Sequence, residues 1–552
     1  MLTQLLALAC LSALFYHHIL HPLLLSPLRR IPAPHWSCHV CPLWIYSQRR
    51  RARELRSVHA AHRALGPVVR LAPNEVSVAS VQGGLSRIYA GGWEKDGWYE
   101  FFSNYGVQPM FATPGSKPHS TRKRMLSNIY SKSTIQSSPS LRAATAVILH
   151  DRLLPLLASL TSSDNDDNND VSSADKPSAP TSIYPLISGL TMDFVTSHIF
   201  GLASGTNFTQ DAEARARFLH WYKCRHGYSF WPQEFPAFTS WVKRWLGLRL
   251  VPEFVDQANR DIESMTWSMC EKAASVLAQS AGDEVKPEAY PAVYSQLSAA
   301  LEKDLAKKAS RGTTPCDASE ERTQIASEVL DHLAAGFDTS GITLVYLTHE
   351  LSQRPELQKA LRAELHSLSI PISAASAPEV PSAKELDSLP LLQAVLQETL
   401  RLHSAIPGLQ PRTSPAGASI GPPGHEYAGL PANVRVASQA WTLHRNEDVF
   451  PDAEQWKPER WLDGRGGLLT ADSEDGGERY REMMRWFWAF GSGGRMCIGS
   501  HLAIYQMKFI IAAIYSNYET TVVSDEGIQQ SDAYTAPPTS DEPLIVAFRR
   551  AK

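Results

Sequence analysis

FGSGGRMCIG, residues 490–499, decides the fold of this chain of 552 residues. The stretch places Cys497 in a glycine-rich loop, with Arg495 two positions before it and an apolar segment after it. Glycines permit positive φ values and a close approach of the backbone to a bound group. The apolar segment, Leu502 to Tyr515, predicts a helix whose positive end favours a thiolate. A buried structural cysteine beside a glycine turn is the alternative, since free cysteines are usually of that kind.

A long helix is predicted upstream, over Ile325 to Leu351, and AGFDTS at residues 335–340 lies in its middle. Gly336 inside a helix costs about 1 kcal/mol relative to alanine, so a specific reason is needed for it. The hydroxyl of Thr339 can donate a hydrogen bond to a carbonyl of the preceding turn and open a local groove. Because Asp–Thr pairs are common on helices, Asp338 and Thr339 indicate function only together with the cysteine loop.

ETLR at residues 398–401 lies in a further predicted helix, and WKPERW follows at residues 456–461. The spacing places Glu398 and Arg401 on one helix face. An arginine fork holds a carboxylate in a defined two-bonded geometry. An exposed helix salt bridge, which contributes only tenths of a kcal/mol, is the alternative. We predict a buried structural network of Glu398, Arg401 and Arg460 that holds the cysteine loop in place.

Taken in this order, the motifs resemble those of the cytochrome P-450 family. The haem-binding signature of that family reads F-x-x-G-x-R-x-C-x-G, and residues 490–499 fill every fixed position. The resemblance implies a b-type haem whose iron takes the Cys497 thiolate as axial ligand, with Phe490 in the same loop and Arg495 paired with a haem propionate. It also implies one large, mainly α-helical domain with small β-sheets.

Residues 335–340 are similar to the family pattern A-G-x-D/E-T-T/S, which crosses the distal face of the haem. The resemblance implies that Gly336 leaves space where oxygen binds. It also implies that Asp338 takes protons from solvent and that Thr339 orients the group that delivers them.

Three more basic residues are candidates for contact with the haem propionates. His119 and Lys123 fall at the two fixed positions of the W-x-x-x-R pattern of many relatives, although neither matches the common residue. Arg412 follows Pro411 where relatives often place a propionate-binding arginine.

The N-terminus predicts a membrane anchor over residues 1–26 and a proline-rich hinge over residues 27–50, with the catalytic domain at residues 51–552. A cleavable signal peptide is the alternative, but no basic region precedes the apolar run. Positive charge follows the run at Arg29 and Arg30, which predicts a single-pass protein with its catalytic domain in the cytosol. This arrangement resembles the anchors of family members of the endoplasmic reticulum membrane. The sequon at Asn207 is then expected to stay unglycosylated.

The rest of the chain predicts one globular unit. Residues 68–90 carry short alternating apolar runs that favour a small β-sheet, and helical periodicity dominates from there to about residue 513. Residues 161–181 and 463–477 are polar and predict surface loops. A net charge of −3 gives no indication of a nucleic-acid partner, and the seven scattered cysteines do not resemble a disulfide framework.

The resemblance implies a monooxygenase that inserts one oxygen atom from O2 into an apolar small molecule. Its electrons would come from NADPH through a separate, membrane-bound cytochrome P-450 reductase, with cytochrome b5 as an optional second donor. Several segments of the sequence resemble the corresponding segments of enzymes of fungal secondary metabolism. Aromatic residues at 98–102, where the family has a loop over the distal pocket, and at 221–250 are candidates for contact with an apolar substrate or the membrane.

Two other classes of function remain open from the sequence. One is a haem-thiolate isomerase or dehydratase that needs neither O2 nor a reductase. The intact pair of Asp338 and Thr339 counts against it, because relatives of that type often lack the pair. The other is a non-catalytic haem carrier or sensor, which would need neither this pair nor a membrane anchor.

Overall fold

The structure of the protein is a computed structural model, and it describes residues 2–161, 178–225, 227–279, 285–310 and 318–551. Helices of the first part of the chain are α1 (Leu2–Phe15), α2 (Leu43–Arg50), α3 (Glu54–Leu65), α4 (Ser86–Ile88), α5 (Ser116–Leu126), α6 (Lys132–Ser137), α7 (Pro139–Ala146) and α8 (Leu154–Thr161). Those of the middle part are α9 (Ile183–Phe200), α10 (Ala212–Cys224), α11 (Phe230–Glu234), α12 (Pro236–Leu246), α13 (Glu253–Gln279), α14 (Ala292–Ala309) and α15 (Ala318–Ser352). Those of the last part are α16 (Pro355–Leu365), α17 (Ala383–Asp387), α18 (Pro390–Leu402), α19 (Ala440–Leu443), α20 (Gly477–Trp486) and α21 (Ser500–Asn517).

The strands of the described residues are short and form three small sheets. They are β1 (Val68–Ala72), β2 (Glu75–Val78), β3 (Glu94–Lys95), β4 (Thr181–Ser182), β5 (Arg412–Thr413), β6 (Ala418–Ile420), β7 (Tyr427–Leu430), β8 (Arg435–Ala437), β9 (Tyr518–Ser524) and β10 (Ile545–Arg550). The largest sheet has the order β1-β2-β8-β5-β3, the second β4-β10-β9 and the third β6-β7. The predicted fold class, mainly helical with small sheets, is confirmed.

The core is organised around two helices, α15 and α9. Every side chain of α9 except that of Pro185 is buried, and the helix packs along α15. A Cβ atom on Gly336 would lie 2.7 Å from Cγ2 of Val195, so only glycine allows this close contact. The structure gives Gly336 a packing reason, the approach of α9, and its role in leaving space for oxygen stays a prediction.

The N-terminal segment contains a candidate membrane span. Leu2–Leu25 is apolar, long enough to cross a bilayer and almost entirely exposed, whereas a second apolar stretch, Pro139–Thr161, is half buried in the core. The predicted hinge, residues 27–50, packs on the domain: Ile31 and Ile45 are buried, and the backbone N–H of Arg70 donates to the carbonyl of Pro32. Its role as a hinge stays a prediction.

Of the two predicted surface loops, only one can be described. Residues 162–177, the greater part of the first, lie outside the described residues. In the second, most residues from 463 to 477 are exposed, and the Asp463 carboxylate accepts hydrogen bonds of 2.8 Å from the backbone N–H groups of Arg465 and Gly467.

Candidate active site

An accessible stripe runs along α15, which is otherwise buried from residue 325 to residue 348. Asp331, Ala335 and Thr339 recur at helical spacing on one face, and Ala334 and Gly336 beside them are partly accessible as well. Ala335 is exposed although it lies in the middle of the longest helix of the core. An alanine is exposed at such a place only where the helix borders an internal space. The stripe therefore marks one wall of a cavity.

The cysteine loop forms a wall of the same kind. The Cys497 side chain is exposed, yet desolvation by the surrounding protein raises the pKa of its thiol. Backbone N–H groups of Gly499 and Ser500 donate to the sulfur, and these contacts and the Lys123 ammonium favour the thiolate. A Cβ atom on Gly494 or Gly499 would meet open space. The sulfur thus faces an internal void and has backbone donors directed at it.

The fold of the loop follows from its glycines. Gly493 has φ +70°, and a Cβ atom there would lie 2.2 Å from the carbonyl oxygen of Tyr89. The backbone N–H of Cys497 donates to the carbonyl of Phe490 at 2.9 Å, which closes the loop. Only glycine at 493 lets the loop lie this close to the chain around Tyr89, so the sulfur is positioned by backbone geometry.

Several cationic side chains converge beside this void. Lys95 and Arg412 are direct cross-strand partners in β3 and β5, and both are buried. The Lys95 ammonium donates to the carbonyl of Phe111, and desolvation and the charges of Arg412 and Arg495 hold its pKa well below the usual range. Like charges directly opposite each other in a sheet are destabilising. A buried pair of cations therefore indicates a place for an anion.

The other predicted cofactor contacts lie at the same place. Arg495 donates from Nη1 to the carbonyl of Thr113 and from Nη2 to that of Pro114, both at 2.6 Å. Lys123 Nζ donates to the carbonyls of Gly494 at 2.9 Å and Met496 at 3.2 Å, so α5 is tied to the cysteine loop.

His119 differs from these cations in its charge. Desolvation and the neighbouring charges of Arg495, Lys123, Lys95 and Arg412 lower its pKa to about 3. His119 is therefore neutral and offers an N–H donor without a charge.

The two predicted distal residues have different surroundings. The hydroxyl of Thr339, in the accessible stripe, donates to the carbonyl of Ala335 at 2.7 Å, as its sequence position predicts. Asp338 is buried and accepts a hydrogen bond from the hydroxyl of Tyr222 on α10, with 3.1 Å between the oxygens. Burial raises the pKa of Asp338 to about 7, while the Tyr222 hydroxyl and Arg225 lower it.

A large aromatic cavity reaches Asp338 on α15. Its volume is about 1010 Å³. The residues that line it include Trp98, Phe101, Phe102, Tyr184, Tyr222, Leu330 and Asp338. Residues of α11 and α12 line it as well, and on α12 Phe238, Trp241 and Trp245 are exposed beside Lys243 and Arg244. Residues from both aromatic stretches singled out in the sequence thus line one cavity with Asp338.

Glu398, Arg401 and Arg460 form a buried network at the base of the site. Arg401 holds the Glu398 carboxylate with two bonds, Nε to Oε2 at 2.9 Å and Nη2 to Oε1 at 2.8 Å. Arg460 Nε donates to the same carboxylate at 2.9 Å. The indole N–H of Trp461 adds a bond of 3.0 Å. Because both Glu398 and Arg401 have fully buried side chains, the exposed salt bridge is not what forms.

His444 connects this network to the cysteine loop. Its Nδ1 is 2.7 Å from the carbonyl oxygen of Arg401, and its Nε2 is 2.7 Å from the backbone nitrogen of Trp488, two residues before Phe490. Both contacts are satisfied by a neutral ring with the proton on Nδ1. Burial and the charge of Arg401 lower the pKa of His444 to about 3, which keeps it neutral.

Sequence reasoning missed three residues of this site, His444, Lys95 and Gln506, and the contact of Tyr222 with Asp338. His444 carries no local motif, and Lys95 lies in a strand of two residues. Gln506 donates to the carbonyl of Gly336 at 3.1 Å and to Ser340 Oγ at 2.7 Å. It therefore joins α21, which follows the cysteine, to the middle of α15.

A helical fold with a cysteine loop facing the middle of a long central helix defines the class of haem-thiolate proteins. The family model described as cytochrome P-450 matches residues 43–541. The chain therefore belongs to the cytochrome P-450 family.

Curated relatives are fungal proteins named as oxygenases or hydroxylases. Cytochrome P-450 monooxygenase avaI of Aspergillus versicolor is 28% identical over 449 residues, 80% of this chain and 92% of that protein. Tryprostatin B 6-hydroxylase of Neosartorya fischeri is 25% identical over 535 residues, 96% of this chain and 84% of that protein. The monooxygenase orf2 of Aspergillus niger is 23% identical over 98% of this chain. These findings support an oxidoreductase of fungal secondary metabolism, as the sequence predicted.

The residues of the site fit the haem that the family implies. The void has a sulfur with backbone donors on one wall and a small-residue stripe on the other. At its edge, the buried side chains of Lys95 and Arg412 lie opposite each other, and their positive charges favour a bound anion. Two propionates would supply that negative charge. The donor set and the open space thus agree with a flat, doubly negative group whose metal takes one thiolate.

Proposed function

We propose that this protein is a haem-thiolate monooxygenase that oxidises an apolar small molecule with O2. The observation that carries the proposal is the accessible stripe of Ala335 and Thr339 on α15, together with the void-facing Cys497. When bound, the haem supplies the binding and activation of oxygen. Cys497 would be its axial ligand, and Arg495, Arg412, Lys123, His119 and Lys95 would surround the propionates.

The chain's own contribution is the control of protons and water. Asp338, which lines the large cavity, holds a proton near neutral pH because burial raises its pKa to about 7. Thr339 is the next residue and lies on the accessible face, where its hydroxyl is oriented by the carbonyl of Ala335. Protons from solvent would pass from Asp338 to a group oriented by Thr339.

Electrons would come from NADPH through a separate cytochrome P-450 reductase, with cytochrome b5 as an optional second donor. The exposed Leu2–Leu25 helix and the exposed aromatic residues of α12 favour attachment to the endoplasmic reticulum membrane. The aromatic cavity would then open toward the lipid, from which an apolar substrate could enter. A dependence of turnover on NADPH and reductase tests this function; turnover without either would favour the isomerase or dehydratase alternative.

Thr339→Ala is expected to uncouple NADPH oxidation from product formation. The substitution removes the hydroxyl on the accessible face, and general acid groups contribute roughly 10²–10⁴-fold to rates, so product per NADPH should fall at least about tenfold. The measurement is the ratio of hydrogen peroxide and product to NADPH consumed. Thr348→Ala, a buried threonine on the same helix, is the matched control. Unchanged coupling in Thr339→Ala would exclude the proposed role.

Tyr222→Phe is expected to move the pH dependence of coupled turnover to higher pH. The Tyr222 hydroxyl lowers the pKa of Asp338, so its loss raises that pKa from about 7 and keeps the carboxyl protonated to higher pH. The measurement is product per NADPH from pH 6 to pH 9. Tyr228→Phe, an exposed tyrosine at the cavity mouth, should leave the profile in place. A shift to lower pH would contradict the assigned hydrogen bond.

A further inference from the structure

The large aromatic cavity has charged side chains in its wall, and most of these charges are paired. Arg49 Nη1 donates to Glu234 Oε2 at 3.2 Å, and Arg435 Nη1 donates to the same oxygen at 3.3 Å. Lys223 Nζ lies 2.7 Å from Asp541 Oδ1. All five residues line the cavity, so these three cations have their anionic partners in its own wall.

Three further cations of the wall are either paired or solvated. Arg249 donates to the Asp256 carboxylate, and Lys243 Nζ lies 3.9 Å from it. Arg50 is exposed, and its guanidinium carbon lies 5.4 Å from the centroid of the Trp231 ring, so water can solvate its charge. None of these three cations needs a bound anion.

Arg225 is the remaining cation that the structure describes in the cavity wall, and its charge is not paired. It follows Cys224, the last residue of α10, and is partly buried. Within the described ranges of the chain, no carboxylate oxygen lies within 4.0 Å of its guanidinium, and the guanidinium donates no hydrogen bond. Its guanidinium carbon lies 5.5 Å from the centroid of the Tyr222 ring. An arginine placed over an aromatic ring keeps its donors available for a planar acceptor.

Arg225 lies close to the residues that handle protons in the proposed mechanism. The Tyr222 ring beside it carries the hydroxyl that donates to Asp338 Oδ2 at 3.1 Å. The charge of Arg225 lowers the pKa of Asp338, but no salt bridge within 4.0 Å joins the two. An anion held by Arg225 would therefore lie about the length of a tyrosine side chain from Asp338, and Thr339 is the next residue.

The size of the cavity gives a reason for a charged contact with the substrate. Its volume, about 1010 Å³, is at the upper end of the range for small-molecule sites. Aromatic walls such as Trp98 and Phe102 attract an apolar body without fixing its direction, because the hydrophobic effect is not directional. A small substrate thus needs a polar contact at one end to keep one orientation.

We propose that the Arg225 guanidinium binds a carboxylate group of the substrate, so that this enzyme takes an organic acid with an apolar body. The inference rests on the proposed function, because it identifies the class of substrate for that same site. Two parallel bonds from the arginine fork would hold the carboxylate, and the aromatic wall would hold the apolar body. The carboxylate then determines which end of the substrate faces Thr339.

The test uses two probes of nearly equal shape, 6-phenylhexanoate and 6-phenylhexanamide. At neutral pH the acid is ionised and the amide is neutral. Binding to the full-length, haem-loaded protein is measured by equilibrium dialysis, which does not depend on a spectral response of the haem. We expect the wild type to bind the acid at least about tenfold more tightly than the amide.

Three variants assign the preference to one side chain. Arg225→Gln should remove the preference and leave affinity for the amide within about twofold, which also shows that the cavity is still formed. Arg225→Lys should keep only part of the preference, because an ammonium is a point charge without the planar fork. Arg50→Gln changes an exposed cation of the same wall and is the matched control, which should keep the preference in full.

Four outcomes would overturn the acid site. They are no preference for the acid in the wild type, an equal loss of both probes in Arg225→Gln, an equal loss of preference in Arg50→Gln, and a preference that Arg225→Gln retains. In the last case, a shift of coupled turnover to higher pH in the same variant would make Arg225 a partner of Asp338 alone.

The acid site and the monooxygenase proposal can fail separately. A wild type that shows a thiolate-type spectrum with reduced carbon monoxide but no preference for the acid would leave the monooxygenase proposal standing and remove the acid site. A folded wild type that prefers the acid but lacks that spectrum would leave the anion-binding site standing and remove the monooxygenase proposal.

Discussion

Cys497→Ser is expected to abolish reductase-supported NADPH oxidation and product formation, with a loss of at least about 10³-fold. A serine hydroxyl is not a thiolate at neutral pH, so the electron donation that favours cleavage of the O–O bond is lost. The surroundings of the sulfur show how specialised the position is. Backbone N–H groups of Gly499 and Ser500 donate to it, and it borders a void inside the protein.

The measurement is the rate of NADPH oxidation and product formation by full-length protein with reductase, normalised to haem content. Cys41→Ser is the matched control, since Cys41 is partly exposed and far in sequence from the loop. It should retain wild-type activity. Turnover within tenfold of wild type in haem-loaded Cys497→Ser would contradict the assignment of the ligand.

Arg401→Ala is expected to lower the free energy of unfolding by about 3–5 kcal/mol and to reduce haem retention, because it leaves the Glu398 carboxylate buried with fewer partners. Arg401 also donates to the carbonyls of His444 and Ala453, each at 2.8 Å, so its loss frees two buried acceptors. Through His444 the disturbance reaches Trp488 and the cysteine loop.

The control for this prediction has the same spacing in an exposed setting. Glu482 and Arg485 form an i,i+3 pair at 2.7 Å on α20, with both side chains about half exposed. Arg485→Ala should change stability by no more than about 0.5 kcal/mol. Thermal unfolding and haem content of the two variants are compared with the wild type. If Arg401→Ala costs no more than Arg485→Ala, the network is not what holds the loop.

The parts of the site that lie on continuous segments could be predicted from the sequence. Residues 490–499 carry the loop, its glycines and the sulfur within ten positions. Thr339 and Ala335 are one helical turn apart, so their hydrogen bond follows from the helix itself. Glu398 and Arg401 are likewise close in sequence, and Arg460 could be added because it belongs to a second motif, WKPERW at residues 456–461.

The remaining contacts could not be predicted because the tertiary fold alone creates them. Tyr222 reaches Asp338 from a helix 116 positions away. Lys95 can be assigned to the site only because the sheet places it opposite Arg412. The missing side chain of Gly336 makes room for Val195, and no local pattern indicates which helix packs there.

The most direct test of the account is the absorption spectrum of the reduced, carbon-monoxide-bound protein, measured on the full chain in microsomes beside Cys497→Ser. The account predicts a strongly red-shifted Soret band in the wild type that is lost in the variant, because only a thiolate ligand produces that shift. A well-expressed, folded wild type without the band, or a variant that keeps it, would show that Cys497 does not ligate a haem iron, and the proposed mechanism would fall with it.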